Sequence, residues 1–151
     1  MPEKILVTGS TGYIGKYVAD QLKAHGYDII YGTRRLWLAG HVDYIVHCAG
    51  VKPSNDKTVD DYIHGNIKYM RLVLNYAEEA SIKKFIYIST HVAYHPDEYK
   101  WPGYSATKYL GELMLKEKDF KYDIIRAERT ENKDQLFYIY CQILRLIKCQ
   151  E

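Results

Sequence analysis

The residues with the clearest chemical potential are Tyr104 and Lys108, four positions apart in the segment WPGYSATK. Pro102 is placed to open a helix, because proline is favoured in a first helical turn. Residues four apart on a helix share a face, so the phenol and the ammonium are expected to lie side by side. A phenol has an unperturbed pKa of about 10, and a neighbouring ammonium favours its ionised form. The pair is therefore expected to donate and accept protons at neutral pH.

A glycine-rich turn near the start of the chain could hold a phosphate. The apolar run from Ile5 to Val7 predicts a strand buried on both faces, and helical spacing begins at Tyr13. Glycines at the junction would permit the tight turn and close approach of a pyrophosphate, which the free N–H groups of a helix start attract. A purely structural turn is the alternative. The predicted dinucleotide-binding residues are Gly9, Thr11, Gly12, Tyr13, Ile14 and Gly15.

Other apolar segments predict the elements that must position these residues. Further strands are predicted at 27–32, 42–47, 84–89 and 122–126, and helices at 59–80, from Pro102 through Leu115, and over a last apolar stripe. The residues of that stripe are Leu136, Tyr140, Ile143 and Ile147. This alternation predicts an α/β fold, a doubly wound, Rossmann-like parallel sheet of about five strands in the order 2-1-3-4-5, between two helical layers.

Composition bounds the class of protein. The chain of 151 residues suits one domain, 1–151, and its net charge of +2 does not favour a nucleic-acid or membrane-surface partner. Three cysteines without close pairing suggest a reducing compartment, and no apolar stretch reaches transmembrane length. The chain leads from Met1 directly into the first strand, so a cytoplasmic protein is expected. No metal site is predicted.

The order of the motifs carries more weight than any one of them. Three motifs follow one another along the chain: G-x-x-G-x-x-G after Thr8, a hydroxyl-rich strand end at Ser89-Thr90, and Y-x-x-x-K. In this order the chain resembles the extended short-chain dehydrogenase/reductase family, which includes NAD-dependent epimerases and dehydratases of nucleotide sugars. The resemblance covers residues 4 to about 126. It implies that Tyr104 moves a proton, that Lys108 lowers the pKa of Tyr104 and holds the cofactor ribose, and that Thr90 orients the substrate oxygen.

The resemblance also assigns cofactor contacts. After the second strand, Thr33 stands where NAD-preferring relatives carry an acidic residue, and Arg34 and Arg35 follow it. An uncharged residue with two guanidinium groups favours the 2′-phosphate of NADP, with NAD as the alternative cofactor; the arginines could instead only solvate a loop. The turn of Cys48, Ala49 and Gly50 resembles the one that passes under the cofactor.

Five residues, one of them named above, complete these assignments. Asn66 matches an asparagine that holds the active-site geometry and is counted with the cofactor contacts, although a surface asparagine is an alternative. Cys48 is expected to be a buried small residue rather than a nucleophile, and His47 to be structural. His91 and Val92 replace the acid and base of sugar dehydratases, which argues against dehydration; His91 is either an acid/base group or a supporting histidine.

The implied activity is NADP-dependent hydride transfer, as an oxidoreductase or epimerase, on a small molecule of the nucleotide-sugar type. A homodimer through the 59–80 helix is expected. The chain is short for this family: Leu36-Trp37-Leu38 is a stub or plug where relatives have a further strand and helix, and 127–151 is a connection and helix that remain of the substrate portion. A non-catalytic NADP-binding or regulatory module, or a shortened inactive fragment, are the alternatives.

Overall fold

Five parallel strands form one sheet at the centre of the protein. The computed structural model describes residues 1–32, 35–94, 100–128 and 132–149. The strands are β1 (Lys4–Thr8), β2 (Asp28–Tyr31), β3 (Tyr44–His47), β4 (Lys84–Thr90) and β5 (Tyr122–Ala127). Their order is β2-β1-β3-β4-β5, and every neighbouring pair is parallel. The predicted fold class and strand order are confirmed, with strand ends that differ by up to two residues.

Helices cover both faces of the sheet, as predicted. They are α1 (Tyr13–Ala24), α2 (Val59–Tyr62), α3 (Tyr69–Ala80), α4 (Pro102–Lys116) and α5 (Lys133–Lys148). Apolar residues of α1 and α5 pack on one face of the sheet, and those of α3 pack on the other. All of the residues in the apolar stripe of α5 are buried, so this helix covers the sheet beside α1. Among the described residues, no helix has the length and apolar character needed to cross a membrane.

The predicted helix over 59–80 contains a feature that its periodicity does not reveal. Ile63–Lys68 forms a π-helical segment, and the residues on either side of it keep right-handed helical backbone angles, so α2 and α3 form one continuous rod. A capping box between Thr58 and Asp61 starts this rod. Isolated π segments occur frequently at functional sites.

The connection from β2 to β3 is short. Leu36–Ala39 forms a single 3₁₀ turn, and the buried Leu36 packs in the core on the α3 side. Of the two sequence alternatives for this segment, a stub or a plug, the packing of Leu36 in the core corresponds to the plug. This connection carries the chain past β1 without a further strand in the described residues.

The C-terminal helix is tied to the sheet by a buried lysine. The Nζ atom of Lys84 donates hydrogen bonds to the carbonyl oxygens of Leu146 and Cys149, at 3.0 and 3.2 Å, and lies 3.0 Å from a carboxylate oxygen of Asp123. A cation at a helix C-terminus is favourable, because the last carbonyl groups have no intrahelical partner.

Candidate active site

The predicted site residues follow the carboxyl ends of the strands, which meet at one edge because the sheet is parallel. The register pairs Thr8 with His47 and Thr90 with Ala127, so these strand ends lie side by side. A cleft of about 360 Å³ opens at this edge. Ligands of open α/β sheets bind in this position, where the strand order reverses.

The turn at the start of α1 requires glycine at positions 9 and 15. Gly9 has a φ of +67°, and its carbonyl oxygen accepts a hydrogen bond from the Gly12 N–H group at 2.9 Å. A Cβ atom on Gly15 would lie 2.0 Å from the Gly9 oxygen. No side chain caps the start of α1, and its first turn has no acidic residue. The N–H groups there are available to an anion.

A buried hydrogen-bond network shapes the turn on the opposite side of the cleft. The Thr8 hydroxyl accepts the backbone N–H groups of Cys48 and Ala49, at 3.1 and 3.3 Å, and it is 2.7 Å from Nδ1 of His47. Because the hydroxyl oxygen already accepts two hydrogen bonds, its proton points to His47 Nδ1, which assigns the proton of that ring to Nε2. Burial lowers the pKa of His47 to about 3, so the ring is neutral and supports the turn.

Cys48 lines the cleft as a neutral thiol. Burial raises its pKa to about 12, and the nearby charge of Lys108 lowers it only in part. A thiolate is the reactive form of cysteine, so this residue is not an activated nucleophile at neutral pH.

Tyr104 and Lys108 lie together on the face of α4 that borders the cleft. Tyr104 is half-buried, and its ring centroid lies 6.2 Å from that of Tyr62. Lys108 is 5% exposed, its Nζ atom donates a hydrogen bond to the Ile88 carbonyl at 2.9 Å, and it lies 4.6 Å from the centroid of the Tyr87 ring. Burial lowers the pKa of Lys108 to about 8. The arrangement therefore presents a phenol and an amine that titrates near neutral pH to the same space.

The end of β4 supplies hydroxyl groups to the floor of the cleft. Thr90 is buried, and its hydroxyl oxygen is 3.4 Å from the backbone N–H of Val92. Ser89 also lines the cleft. His91 is exposed, lies outside the cleft lining, and its Nδ1 atom is 3.3 Å from the Ala127 carbonyl. Its imidazole therefore packs on the end of β5 instead of facing the cleft.

Asn66 connects the turn after β3 with the helix of Tyr104 and Lys108. Its side-chain oxygen accepts the Val51 N–H at 2.8 Å, and its amide nitrogen donates to the Thr107 hydroxyl at 3.0 Å. Asn66 belongs to the π-helical segment and is 2% exposed. It lies behind Gly50, where an added Cβ atom would be 3.0 Å from the asparagine oxygen. The structure therefore puts Asn66 in a supporting position behind the cleft wall.

A second cleft of about 690 Å³ adjoins the first. The two share Gly9, Ala49, Gly50 and Val51, and the second continues past Gly32, after the end of β2. Its wall on the α2–α3 rod carries the charged and polar side chains of Asp61, His64 and Lys68, and Lys57 lies just before the rod. Together the clefts form an elongated surface across the carboxyl ends of β2, β1, β3 and β4.

Most of the predicted site residues are brought together in the first cleft. Those that line it are Gly9, Thr11, Gly12, Tyr13, Ile14, Gly15, Cys48, Ala49, Gly50, Thr90, Tyr104 and Lys108. Arg35 is exposed and outside both linings, and Thr33 and Arg34 lie outside the described residues. Among the described residues, no group of three His, Cys, Asp or Glu side chains is placed to hold a metal ion.

Sequence reasoning missed several cleft residues. They are Val51, Lys52, Ile88, Ser89, Ala127 and Glu128. The usable signal is position, because each lies within five residues of the carboxyl end of β3, β4 or β5. Lys52 adds positive charge near the glycine turn, with its Nζ atom 5.8 Å from the Tyr13 ring centroid.

Comparison with solved structures shows a shared fold. The chain is similar to dTDP-4-dehydrorhamnose reductase from Bacillus anthracis, crystallised with NADP, with a TM-score of 0.82 and 21% identity over 99% of this chain and 72% of that one. It is similar to UDP-glucuronic acid 4-epimerase from Bacillus cereus in complex with NAD, with a TM-score of 0.70 and 22% identity over 83% of this chain and 56% of that one. A short-chain dehydrogenase/reductase superfamily protein from Agrobacterium tumefaciens with bound NAD gives a TM-score of 0.71 and 21% identity, with 82% of this chain and 48% of that one covered.

The family assignment comes from the sequence itself. No curated protein matches the chain. The model of the NAD dependent epimerase/dehydratase family matches residues 5–127, a stretch that begins in β1 and ends with β5. This stretch contains the glycine turn, the end of β4 and the pair on α4. The chain belongs to the NAD dependent epimerase/dehydratase family.

Proposed function

We propose that this protein binds a nicotinamide dinucleotide and transfers hydride to or from an oxygen-bearing carbon of a nucleotide-linked sugar. The observation that carries the proposal is that Thr90, Tyr104 and Lys108 line the same cleft as the glycine turn at the start of α1. A dinucleotide anchored at that turn can extend its reactive ring toward a phenol, an amine and a hydroxyl. Family membership supports the same class of chemistry.

The residues present fit such a cofactor. The uncapped start of α1 and Lys52 favour a pyrophosphate, since both attract negative charge. The two adjoining clefts, of about 360 and 690 Å³, offer separate space for the two halves of a dinucleotide on either side of the glycine turn. Bound cofactor would supply or accept the hydride.

NADP is the preferred cofactor in this proposal. The preference is based on Thr33, Arg34 and Arg35, which combine an uncharged residue with two guanidinium groups, a set suited to a 2′-phosphate. The reductase structure with the highest similarity score quoted above contains NADP. The ratio of NADPH to NADH dissociation constants tests this preference, which equal affinities would contradict.

The side chains of the cleft then have distinct roles. Tyr104 donates a proton to the substrate oxygen during reduction and accepts one during oxidation. The Lys108 ammonium favours the phenolate of Tyr104, because opposite charges stabilise one another, and it also offers donors to a cofactor ribose. Thr90 donates a hydrogen bond to the substrate oxygen and so orients the reacting carbon. Asn66 holds the turn after β3 against α4.

A nucleotide sugar is the proposed substrate class. The match to dTDP-4-dehydrorhamnose reductase covers 99% of this chain, and thus extends through α5, beyond the stretch that the family match covers. Residues 127–151 are accordingly proposed to be a connection and helix that remain of a substrate-binding portion in an otherwise single Rossmann-like domain. Deoxysugar nucleotides with a 4-keto group are therefore the first substrates to test.

The test measures cofactor binding and turnover separately. Titration with NADPH, followed by its fluorescence, is expected to show saturable binding. Nucleotide-sugar-dependent loss of NADPH absorbance is expected in the unmodified protein and reduced at least about 100-fold in Tyr104→Phe, the contribution typical of a general acid. Tyr138→Phe, an exposed tyrosine on α5, is the matched control and should keep full activity. Binding without turnover of any nucleotide sugar would contradict the enzymatic proposal.

A non-catalytic NADP-binding or regulatory module is the second candidate. The observation that favours it is the length of the chain, which spans 48% to 72% of the three solved structures compared above. A module of this kind, or a shortened inactive enzyme, would bind NADPH but be indifferent to Tyr104→Phe. Turnover that depends on Tyr104 excludes both.

A homodimer is proposed through the α2–α3 rod and α4. Exposed leucines lie on these helices, namely Leu110 and Leu113 on α4 and Leu72 on α3, where Leu72 also borders the second cleft. Large exposed apolar patches mark subunit contacts. Sedimentation analysis is expected to give twice the monomer mass. A monomer at micromolar concentration would contradict it. A cytoplasmic location also stays a prediction.

A further inference from the structure

Helix α4 buries a second ionisable side chain directly below the proposed catalytic pair. Glu112 is 0% exposed and lies one helical turn after Lys108, so the two share the buried face of the helix. Carboxylates are rarely buried completely unless they are paired, because desolvation of the charge is costly. A charged Glu112 therefore needs a hydrogen-bonded or ionic partner among the described residues.

Arg126 of β5 supplies the direct partner. Its Nε atom lies 3.1 Å from Oε1 of Glu112, and its Nη2 atom lies 3.4 Å from Oε2, while the arginine side chain remains 33% exposed. Burial raises the pKa of Glu112, and the Ser89 hydroxyl and the charges of Lys116 and Lys108 oppose this rise only in part. The two guanidinium contacts of Arg126 also favour the charged form. We take Glu112 to be ionised at neutral pH because this two-point pairing favours the carboxylate directly.

The groups around Lys108 differ in charge. Those that face it or its neighbours are His47 and Cys48 from β3 and the following turn, Tyr87 from β4, and Tyr104 and Glu112 from α4. Burial lowers the pKa of His47 to about 3 and raises that of Cys48 to about 12, so both are neutral near pH 7. Burial also raises the pKa of Tyr87 above its ordinary value. Of the buried groups named here, Glu112 is the one that is anionic at neutral pH; Glu128 also lines the cleft, but it is exposed to solvent, which screens its charge.

We propose that Glu112, one helical turn from Lys108, is a positioning residue that keeps the Lys108 amine charged where it donates to the Ile88 carbonyl at the base of the cleft. The catalytic importance of this effect rests on the function proposed above, whereas the electrostatic effect itself does not. Arg126 in turn keeps Glu112 ionised from the solvent side. The sequence Tyr104, Lys108, Glu112 thus places three coupled groups on successive turns of one helix.

The direct test follows the Lys108 amine by NMR in full-length protein labelled with ¹³C and ¹⁵N in lysine. The Lys108 signal is assigned by its absence in Lys108→Met. Its titration midpoint is expected at about 8 in the unmodified protein. In Glu112→Gln the midpoint is expected to fall by about one pH unit, the lower end of what a nearby opposite charge produces. Glu117→Gln, an exposed glutamate at the end of the same helix, should leave it unchanged.

An unchanged Lys108 midpoint in Glu112→Gln would overturn the inference. If that variant does not fold, Glu112→Met combined with Arg126→Met serves instead, because replacing a whole buried ion pair by apolar residues is often neutral or stabilising. The double variant should show a fall in the same direction but a smaller one, because the positive charge of Arg126 is lost together with the carboxylate. If the pair of Glu112 and Arg126 had only a structural role, the Lys108 titration midpoint would be unchanged in these variants.

The kinetic test separates this inference from the proposed function. In Glu112→Gln the alkaline limb of the pH profile of kcat/KM should move to lower pH, and Glu112→Asp, which keeps the charge, should restore it in part. If the unmodified protein turns over no nucleotide sugar, the proposed function fails, while the NMR titration still decides the role of Glu112. A pH profile that is the same in Glu112→Gln and unmodified protein would contradict that role.

Discussion

Replacing Lys108 with methionine is expected to stabilise the fold while it removes the amine from the cleft. Lys108 is 5% exposed, and burial lowers its pKa from 10.5 to about 8. Burying this ammonium therefore lowers the free energy of unfolding. The proposed function explains why the protein keeps a charged residue there. Methionine has a similar length without the charge and tolerates irregular packing.

The size of the effect follows from the change in pKa. The lowering from 10.5 to about 8 is about 2.5 pH units, and at about 1.36 kcal/mol per unit it corresponds to about 3 kcal/mol of destabilisation at neutral pH. Methionine also loses the hydrogen bond to the Ile88 carbonyl, a net contribution of about 1 kcal/mol. The free energy of unfolding of Lys108→Met at neutral pH should therefore exceed that of the unmodified protein by about 2 kcal/mol.

The pH dependence gives the effect a distinctive sign. Below about pH 8 the lysine is protonated in both the folded and unfolded chains, so the difference between the two proteins is constant. Between about 8 and 10.5 the unfolded chain binds more protons, so the stability of the unmodified protein rises relative to that of the variant. Cys48 and Tyr87, whose pKa values are raised, act oppositely at high pH, but they are present in both proteins.

Urea unfolding at neutral pH and at about pH 10.5 measures these differences. The advantage of Lys108→Met is expected near neutral pH and should vanish or reverse at the alkaline end. Lys16→Met, an exposed lysine on α1, is the matched control and should change stability by less than about 0.5 kcal/mol. Equal stability of Lys108→Met and unmodified protein, with parallel pH curves, would refute the reasoning.

Three further predictions concern the glycine turn, Asn66 and the lysine that ties α5 to the sheet, and urea unfolding measures the change in stability in each case. Gly15→Ala should lower the free energy of unfolding by about 3 kcal/mol or more and abolish NADPH binding, because the added Cβ would lie 2.0 Å from a backbone oxygen. In Gly12→Ala the corresponding distance is 3.3 Å, so the cost should be about 1 kcal/mol or less. Equal costs in the two variants would contradict this. Asn66→Leu should cost about 2 kcal/mol or more by leaving buried polar groups unpaired, against under about 0.5 kcal/mol for the exposed Asn75→Leu. Lys84→Met should cost about 1 to 3 kcal/mol and speed amide exchange in the last turn of α5; unchanged exchange would show that the lysine does not tie this helix to the sheet.

The sheet and its order were predictable because local patterns encode them. Continuous apolar runs such as 5–7 and 85–88 predict central strands that are buried on both faces, and β1, β3 and β4 are such strands. The crossovers between parallel strands then restrict the topology to few choices. The pair on α4 was predictable for the same reason, because helical spacing alone puts Tyr104 and Lys108 on one face.

Other features depend on contacts between elements that are distant in sequence. The partner of Glu112 is Arg126 on β5, and the partners of Asn66 are Val51 and Thr107, none of which a local periodicity reveals. The π-helical segment at 63–68 likewise has no recognised pattern of residue types. Thr33 and Arg34 lie outside the described residues, so the preference for NADP stays a prediction from the sequence.

A crystal structure of the full chain with NADP bound tests the central claim most directly. It is expected to show the pyrophosphate at the turn of Gly9, Gly12 and Gly15 and the nicotinamide beside Tyr104 and Lys108, which line the same cleft. A dinucleotide bound elsewhere on the protein, or a nicotinamide ring directed away from Tyr104, would contradict the account.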